Sequence, residues 1–277
     1  MSTTPHYSQF KWTFSTLGCH DLSLEQCCTL AKKYGLGFIE ARALEGRIDL
    51  PKLFEEQFGT PAALNDYLTK QGIGVSCFDT SLKLVGNTPE DREAFLEFIP
   101  WAEATGTALL RIFDGGTPTT ELEGEVLEQA KDTLAWWNDL KSSNGWKVDM
   151  AIETHDCLTP SPAFATLVEA VGKAPTMIWD THHTWKKANE SISSSWEALG
   201  SATASVHIKD SITKPSARHP FTYVQLGTGE FPLNETLETL VTANYQGFVC
   251  IEWERMWHPY LTPLDTAFDK AKELNWF

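Results

Sequence analysis

Four side chains able to hold a divalent cation stand at the ends of four short apolar runs: Glu153 after "KVDMAI", Asp180 after "TMIW", His207 after "ASV" and Glu252 after "FVCI". Three carboxylates and one imidazole form a mostly hard oxygen donor set. Such a set suits Mn²⁺ or Mg²⁺ better than a structural zinc, although Co²⁺, Fe²⁺ and Zn²⁺ also bind it. A cation there polarises a carbonyl and stabilises the enediolate left when a neighbouring carbon loses a proton, an effect worth about several kcal/mol. The four residues are 27, 27 and 45 positions apart, and one strand-helix unit occupies about 25 to 35 residues. Consecutive strands therefore deliver one ligand each. A lone acid at a strand end is ordinarily a solvated terminus or a helix cap, but four in one register make a ligand set. Within "WDTHH" (179–183), Asp180 is the ligand, His183 reaches inward toward substrate or a ligand's partner, and His182 is a packed or exposed loop histidine.

Positioning these residues takes a repeated architecture. Apolar runs at 10–18, 37–43, 74–80, 108–115, 147–155, 176–183, 204–210 and 248–254 alternate with longer amphipathic stretches, so eight strands are predicted. Helices are expected to start after Ser23, after Thr88 and after Thr119 or Thr120, and Gly35, Gly72 and Gly106 stop three of them. Eight strands, each followed by a helix, close most economically as one parallel (β/α)8 barrel, with residues 1–277 forming a single domain. An open doubly wound sheet is the alternative. Against it, the turn after the first strand, "STLGCHDLS", offers only Gly18 and no glycine-rich phosphate loop.

Apolar residues make up 42% of the chain and charged ones 21%, with no stretch long enough to span a bilayer and no basic-then-apolar leader, so a soluble cytoplasmic protein is expected. Six cysteines without a two-residue spacer read as buried free thiols rather than a zinc knuckle. A net charge of −15 with no run of Lys or Arg argues against a nucleic-acid partner. The eleven tryptophans either wall a sugar-sized pocket or fill core. The loop "ERMWHPYL" (254–261), with Trp257 and Tyr260, suits sugar stacking or a contact in a homo-oligomer, and His258 shares that ambiguity.

Taken in order, "SLEQCCTLAKKYGLGFIEAR", "AIETH", "WDTHH", "VHIKD", "LGTGEFP" and "IEWE" resemble the xylose isomerase-like barrels over nearly the whole chain. That group includes sugar epimerases, sugar-phosphate isomerases, inosose dehydratases and endonuclease IV. The resemblance implies a metal quartet of Glu153, Asp180, His207 and Glu252, with Glu153 and Glu252 as the acid/base pair and His183 as a substrate-binding histidine. Ketose epimerases of the group carry "HxGE" followed by an arginine, whereas this chain has Lys209, Asp210 and, at 213, Thr. That departure points toward the dehydratase-like and unassigned branches and away from a free-ketose substrate. Lys209 either ion-pairs Asp210 as a rim brace or meets a substrate oxygen, and Arg218 in the loop 211–232, which is expected to cap the mouth, either supplies the missing guanidinium or lies in solvent. Arg42 and Arg111 are anchors for hydroxyls or a carboxylate, or else rim salt bridges, and His155 completes the substrate-binding candidates. The trinuclear zinc cluster of the endonuclease branch lacks its extra histidines and glutamates in the first four strands, which offer His20, Glu40, Arg42, Asp79, Arg111 and Asp114.

The expected activity is therefore epimerisation or isomerisation of a sugar or sugar derivative through an enediolate. Elimination from a keto-sugar, keto-inositol or keto-glycoside is the alternative, and a non-catalytic sugar-binding barrel or an abasic-site endonuclease fits the residues less well.

Overall fold

In the computed structural model, residues 7–119 and 121–277 are described. Eight parallel strands form the sheet: β1 (Lys11–Phe14), β2 (Phe38–Ala41), β3 (Gly74–Val85), β4 (Leu109–Gly115), β5 (Asp149–Glu153), β6 (Thr176–Asp180), β7 (Thr203–Ile208) and, after a short hairpin, β10 (Phe248–Ile251). They lie in the order β1-β10-β7-β6-β5-β4-β3-β2. A single parallel bridge between Ser15 and Glu40 joins the two ends. The helices run outside this ring, so the predicted (β/α)8 barrel is the fold.

The interior is layered because a strand's side chains alternate faces, and residues two apart share one. Cys77, Leu109, Ala151 and Ile178 form a small apolar cluster inside the ring. Two residues further along the same strands come Asp79, Arg111, Glu153 and Asp180, all buried. Ser205 and Cys250 stand in the same relation to His207 and Glu252. The barrel is thus plugged below by small and aliphatic groups and lined above by ionisable ones. The larger core, rich in Phe and Trp, lies between strands and helices.

Local chemistry sets the helix ends. Ser23 and Gln26 form a reciprocal capping box, and Gly35 closes that helix in the left-handed region at φ 73°. Thr88 and Asp91 cap a second helix in the same way. Ser23→Ala is expected to cost about 1 kcal/mol, read as a lower urea midpoint with unchanged slope.

Several boundaries differ from those predicted. The stretch after Thr88 is two helices, Pro89–Leu96 and Ile99–Thr105, because Pro100 cannot continue the first turn of hydrogen bonds. The helix expected after Thr119 begins only at Gly124, since the Thr119 hydroxyl turns back onto Glu121 instead of capping. Thr120 lies outside the described residues. β3 continues past Thr80 to Val85, with Leu82, Leu84 and Val85 buried after a register shift. The segment 211–232 holds an antiparallel pair, β8 (Asp210–Ile212) and β9 (Thr222–Val224), too short to show in an alternation pattern. Among the described residues no helix is long and apolar enough to cross a membrane, and all six cysteines are free and buried.

Candidate active site

The four expected ligands converge. Donor atoms of Glu153, Asp180, His207 and Glu252 all lie within 4.8 Å of one another, and all four residues are buried. Asp180 and His207 sit in register on neighbouring strands. Asp180 ends β6 and also caps the helix Thr181–Lys187, its Oδ1 accepting the His183 backbone N–H at 2.8 Å. That leaves Oδ2 for the site. His207 Nδ1 faces Glu252 Oε2 at 3.4 Å and Glu153 Oε1 at 3.7 Å. Buried Glu153 Oε2, Asp180 Oδ2 and His207 Nδ1 make no well-directed hydrogen bond among the described residues. A mostly oxygen donor set, with Glu153 Oε2 and His207 Nδ1 left without a well-directed hydrogen bond among the described residues, fits a divalent cation.

Behind this quartet is a residue the sequence did not single out as a partner. Glu40, fully buried at the end of β2, places Oε2 3.1 Å from His207 Nε2. A carboxylate behind a ligating imidazole fixes its tautomer and orientation and raises its basicity. Glu40→Gln is expected to weaken divalent-metal binding by about tenfold to a hundredfold, measured by competition with a chelating dye. Affinity equal to wild type would remove Glu40 from this role.

Lys209 sits among the acids. Its Nζ lies 2.7 Å from Asp180 Oδ2, 2.5 Å from Glu252 Oε2 and 2.6 Å from Glu254 Oε1. Of the two readings of Lys209, the pairing with Asp210 does not form. Neighbours on a strand point to opposite faces, so Lys209 follows His207 inward while Asp210 turns out toward the loop. There Asp210 accepts the backbone N–H groups of Gly229 at 2.8 Å and Phe231 at 3.1 Å. A side chain at 229 would collide with the Asp210 carboxylate, which is why glycine stands there.

Burial penalises every charge here, but the partners outweigh it. Burial alone would raise Glu252 and Asp180, yet Lys209 and His207 hold both carboxyls below their usual values. Burial would strip the His207 proton, yet Glu40 and Glu252 hold it well above the usual range. The same contest keeps Lys209 charged beside Asp180, Glu252 and Glu254. His183 goes the other way: burial, then the Lys209 charge, push it well below its usual value, so it is neutral. Its Nδ1 lies 3.1 Å from the Thr154 carbonyl and 3.0 Å from Asp180 Oδ2. Nδ1 therefore carries the hydrogen, and Nε2 is left as an acceptor.

The remaining candidates separate. His155, half-buried, packs against Phe113 and His183 with ring centroids 5.0 and 4.8 Å away, and its Nδ1 meets Asp156 Oδ2 at 2.9 Å. Arg111 Nε lies 3.3 Å from Glu153 Oε2 and its NH2 3.6 Å from Asp79 Oδ2. Arg42 comes to the same mouth, donating NH1 to the Asp79 carbonyl at 3.1 Å. Arg218 is exposed, lies over the Trp257 ring and donates to the Trp257 carbonyl at 3.3 Å. None of its hydrogen bonds or ion pairs among the described residues reaches the quartet. His182 is a core histidine: it is fully buried, surrounded by Trp185, Phe221, Tyr223 and Phe231, with Nε2 2.7 Å from Ser211 Oγ. Glu254, two residues past Glu252, was missed as the third partner of Lys209; the two-residue period was the available signal.

The sequence profile of the xylose isomerase-like TIM barrel matches residues 28–276. The chain belongs to this family. Among solved structures, this xylose isomerase-like barrel is similar to the probable 3-DHS dehydratase AsbF, involved in petrobactin synthesis, from Bacillus anthracis. The identity is 15% and the TM-score 0.77, over 95% of this chain and 98% of that one. It is similar also to an IolI protein with a bound zinc atom, at 18% identity and TM-score 0.74 over 96% and 97% of the two chains. A third is a xylose isomerase domain-containing protein from Salmonella typhimurium, at 13% identity and TM-score 0.70 over 98% and 99%. At such identities the likeness carries the fold. No functionally curated protein matches the sequence.

Proposed function

We propose that this family member is a divalent-metal-dependent enzyme that removes a proton from the carbon beside the carbonyl of a sugar or sugar derivative and returns it as an isomerase or epimerase. The observation that carries the reading is the convergence of four buried donors within 4.8 Å of one another, two of them glutamates on different strands. Glu153, Asp180, His207 and Glu252 would hold the ion, which supplies a Lewis acid beside the developing enediolate oxygen. Three carboxylates to one imidazole favour Mn²⁺, with zinc, as bound by the solved IolI protein, as its main rival.

The chain's own residues would then divide the work. Glu252, kept ionised by Lys209 and His207, takes the proton and returns it to the adjacent carbon in isomerisation, whereas in epimerisation Glu153, itself ionised at rest, first takes a proton from solvent and gives it to the other face. His183 Nε2 accepts from a substrate hydroxyl, and His155, half-exposed at the rim, lines the approach. Free buried cysteines suit a cytoplasmic location.

One observation supports elimination as a second reading. Lys209 carries protons 2.6 Å from Glu254 inside the same site, and the solved AsbF protein is named a probable dehydratase. In that route the glutamate takes the carbon-bound proton, its electron pair forms the carbon–carbon double bond, the β C–O bond breaks, and Lys209 protonates the departing oxygen. Incubating the Mn²⁺-loaded enzyme with a panel of ketoses and keto-inositols in D2O tests both. Deuterium at carbon with an unchanged formula supports isomerisation, loss of water supports elimination, and no exchange with any substrate despite bound metal overturns the proposal.

A further inference from the structure

Arg42 is 5% exposed, yet among the described residues no carboxylate oxygen comes within the 4.0 Å that defines an ion pair. Its guanidinium makes one hydrogen bond among the described residues, to the Asp79 backbone carbonyl. Arg111 next to it is the opposite case, paired with both Asp79 and Glu153 and bonded to the Thr80 carbonyl. Both guanidiniums lie against the half-exposed ring of Phe113, 5.9 Å from its centroid for Arg42 and 3.9 Å for Arg111. Burial and the charge of Arg111 push Arg42 down to about 10, against the smaller opposing pull of the Asp79 and Glu153 carboxylates beyond contact distance. Bonding one carbonyl does not require a guanidinium, since a neutral amide does it without burying a charge. A buried cation with no anion in contact is costly and is tolerated where a ligand supplies the anion. A guanidinium's fork matches the two oxygens of a carboxylate or phosphate.

Placement says where that anion belongs. β2 lies four strands round the barrel from β6, so Arg42 faces Asp180 across the mouth. We propose that Arg42 takes an oxyanion, a carboxylate or a phosphate, carried by the substrate at the end remote from the carbonyl addressed by the quartet. The identity of that end as the non-reacting one rests on the proton-abstraction reading above; the anion site itself does not. The enzyme is on this account selective for acidic sugars or sugar phosphates over neutral ones, with Phe113 as the apolar wall beside the anion.

Calorimetric binding to the Mn²⁺-loaded enzyme tests it with three probes: D-fructose, 5-keto-D-gluconate and D-fructose 6-phosphate. One of the two anions is expected to bind at least about tenfold tighter than fructose, and which one distinguishes carboxylate from phosphate. Arg42→Gln is expected to bring that anion down to the level of fructose, and Arg42→Lys to keep part of the preference. Equal binding of all three by wild type, failure of all three to bind, or a preference that survives Arg42→Gln overturns the proposal. The wild-type comparison needs no variant to fold. Binding is read without turnover, so an anion preference with no deuterium exchange sinks the proton-abstraction reading alone. Exchange on neutral ketoses with no charge preference sinks the Arg42 site alone.

Discussion

Glu252→Gln is expected to lower turnover by about a thousandfold while leaving the barrel folded. The substitution keeps the side chain's shape but removes the charge that faces Lys209 at 2.5 Å and His207 at 3.4 Å. Because Glu252 is both a ligand and a base in the proposed mechanism, two measurements are needed. Solvent deuterium exchange at saturating metal reports the base, and metal affinity reports the ligand. Glu153→Gln is the matched variant, and it also leaves Arg111 with one carboxylate partner fewer. Exchange close to wild type in either variant would take that glutamate out of the proton transfer.

Lys209→Met has the second large effect, on stability. Its ammonium stands between Asp180, Glu252 and Glu254, and its side chain is 3% exposed. Removing one partner from a buried ionic cluster costs about 3 to 5 kcal/mol, because the remaining charges lose their compensation. Metal-free Lys209→Met is therefore expected to unfold at a markedly lower urea concentration than wild type. Divalent metal should restore part of the loss, since a cation bound only by the folded chain stabilises it by mass action. If the metal-free variant matches wild type, the cluster is not held together by this charge.

The fold and the quartet were legible because both follow from short-range rules. Alternation along a strand puts Glu153 above Ala151 and Asp180 above Ile178, and the 27-residue spacing matches one strand-helix unit. The caps at Ser23 and Thr88 are similarly local. Pairings that cross the barrel were not legible. Glu40 meets His207 over 167 residues of sequence. No periodicity encodes which strands face one another until the ring closes. The proximity of Lys209 and Asp210 in sequence misled for the same reason, since adjacency along a strand separates side chains. Arg42 and Arg111 looked equivalent from sequence, and only the closed barrel shows that one is neutralised and the other is not.

The loop between β7 and β10 is moored at both feet. Asp210 grips the backbone of Gly229 and Phe231, and the three-residue strands β8 and β9 zip the stem. Beyond that stem, residues 213–220 are largely solvent-facing. Asp210 holds Gly229 and Phe231 through backbone amides alone, while within the tip Thr213 bonds Glu230 and His219 stacks on Phe221. Mutational drift at the exposed Lys214, Pro215 and Ala217 can therefore proceed while the Asp210 anchor and His207 beneath it stay fixed.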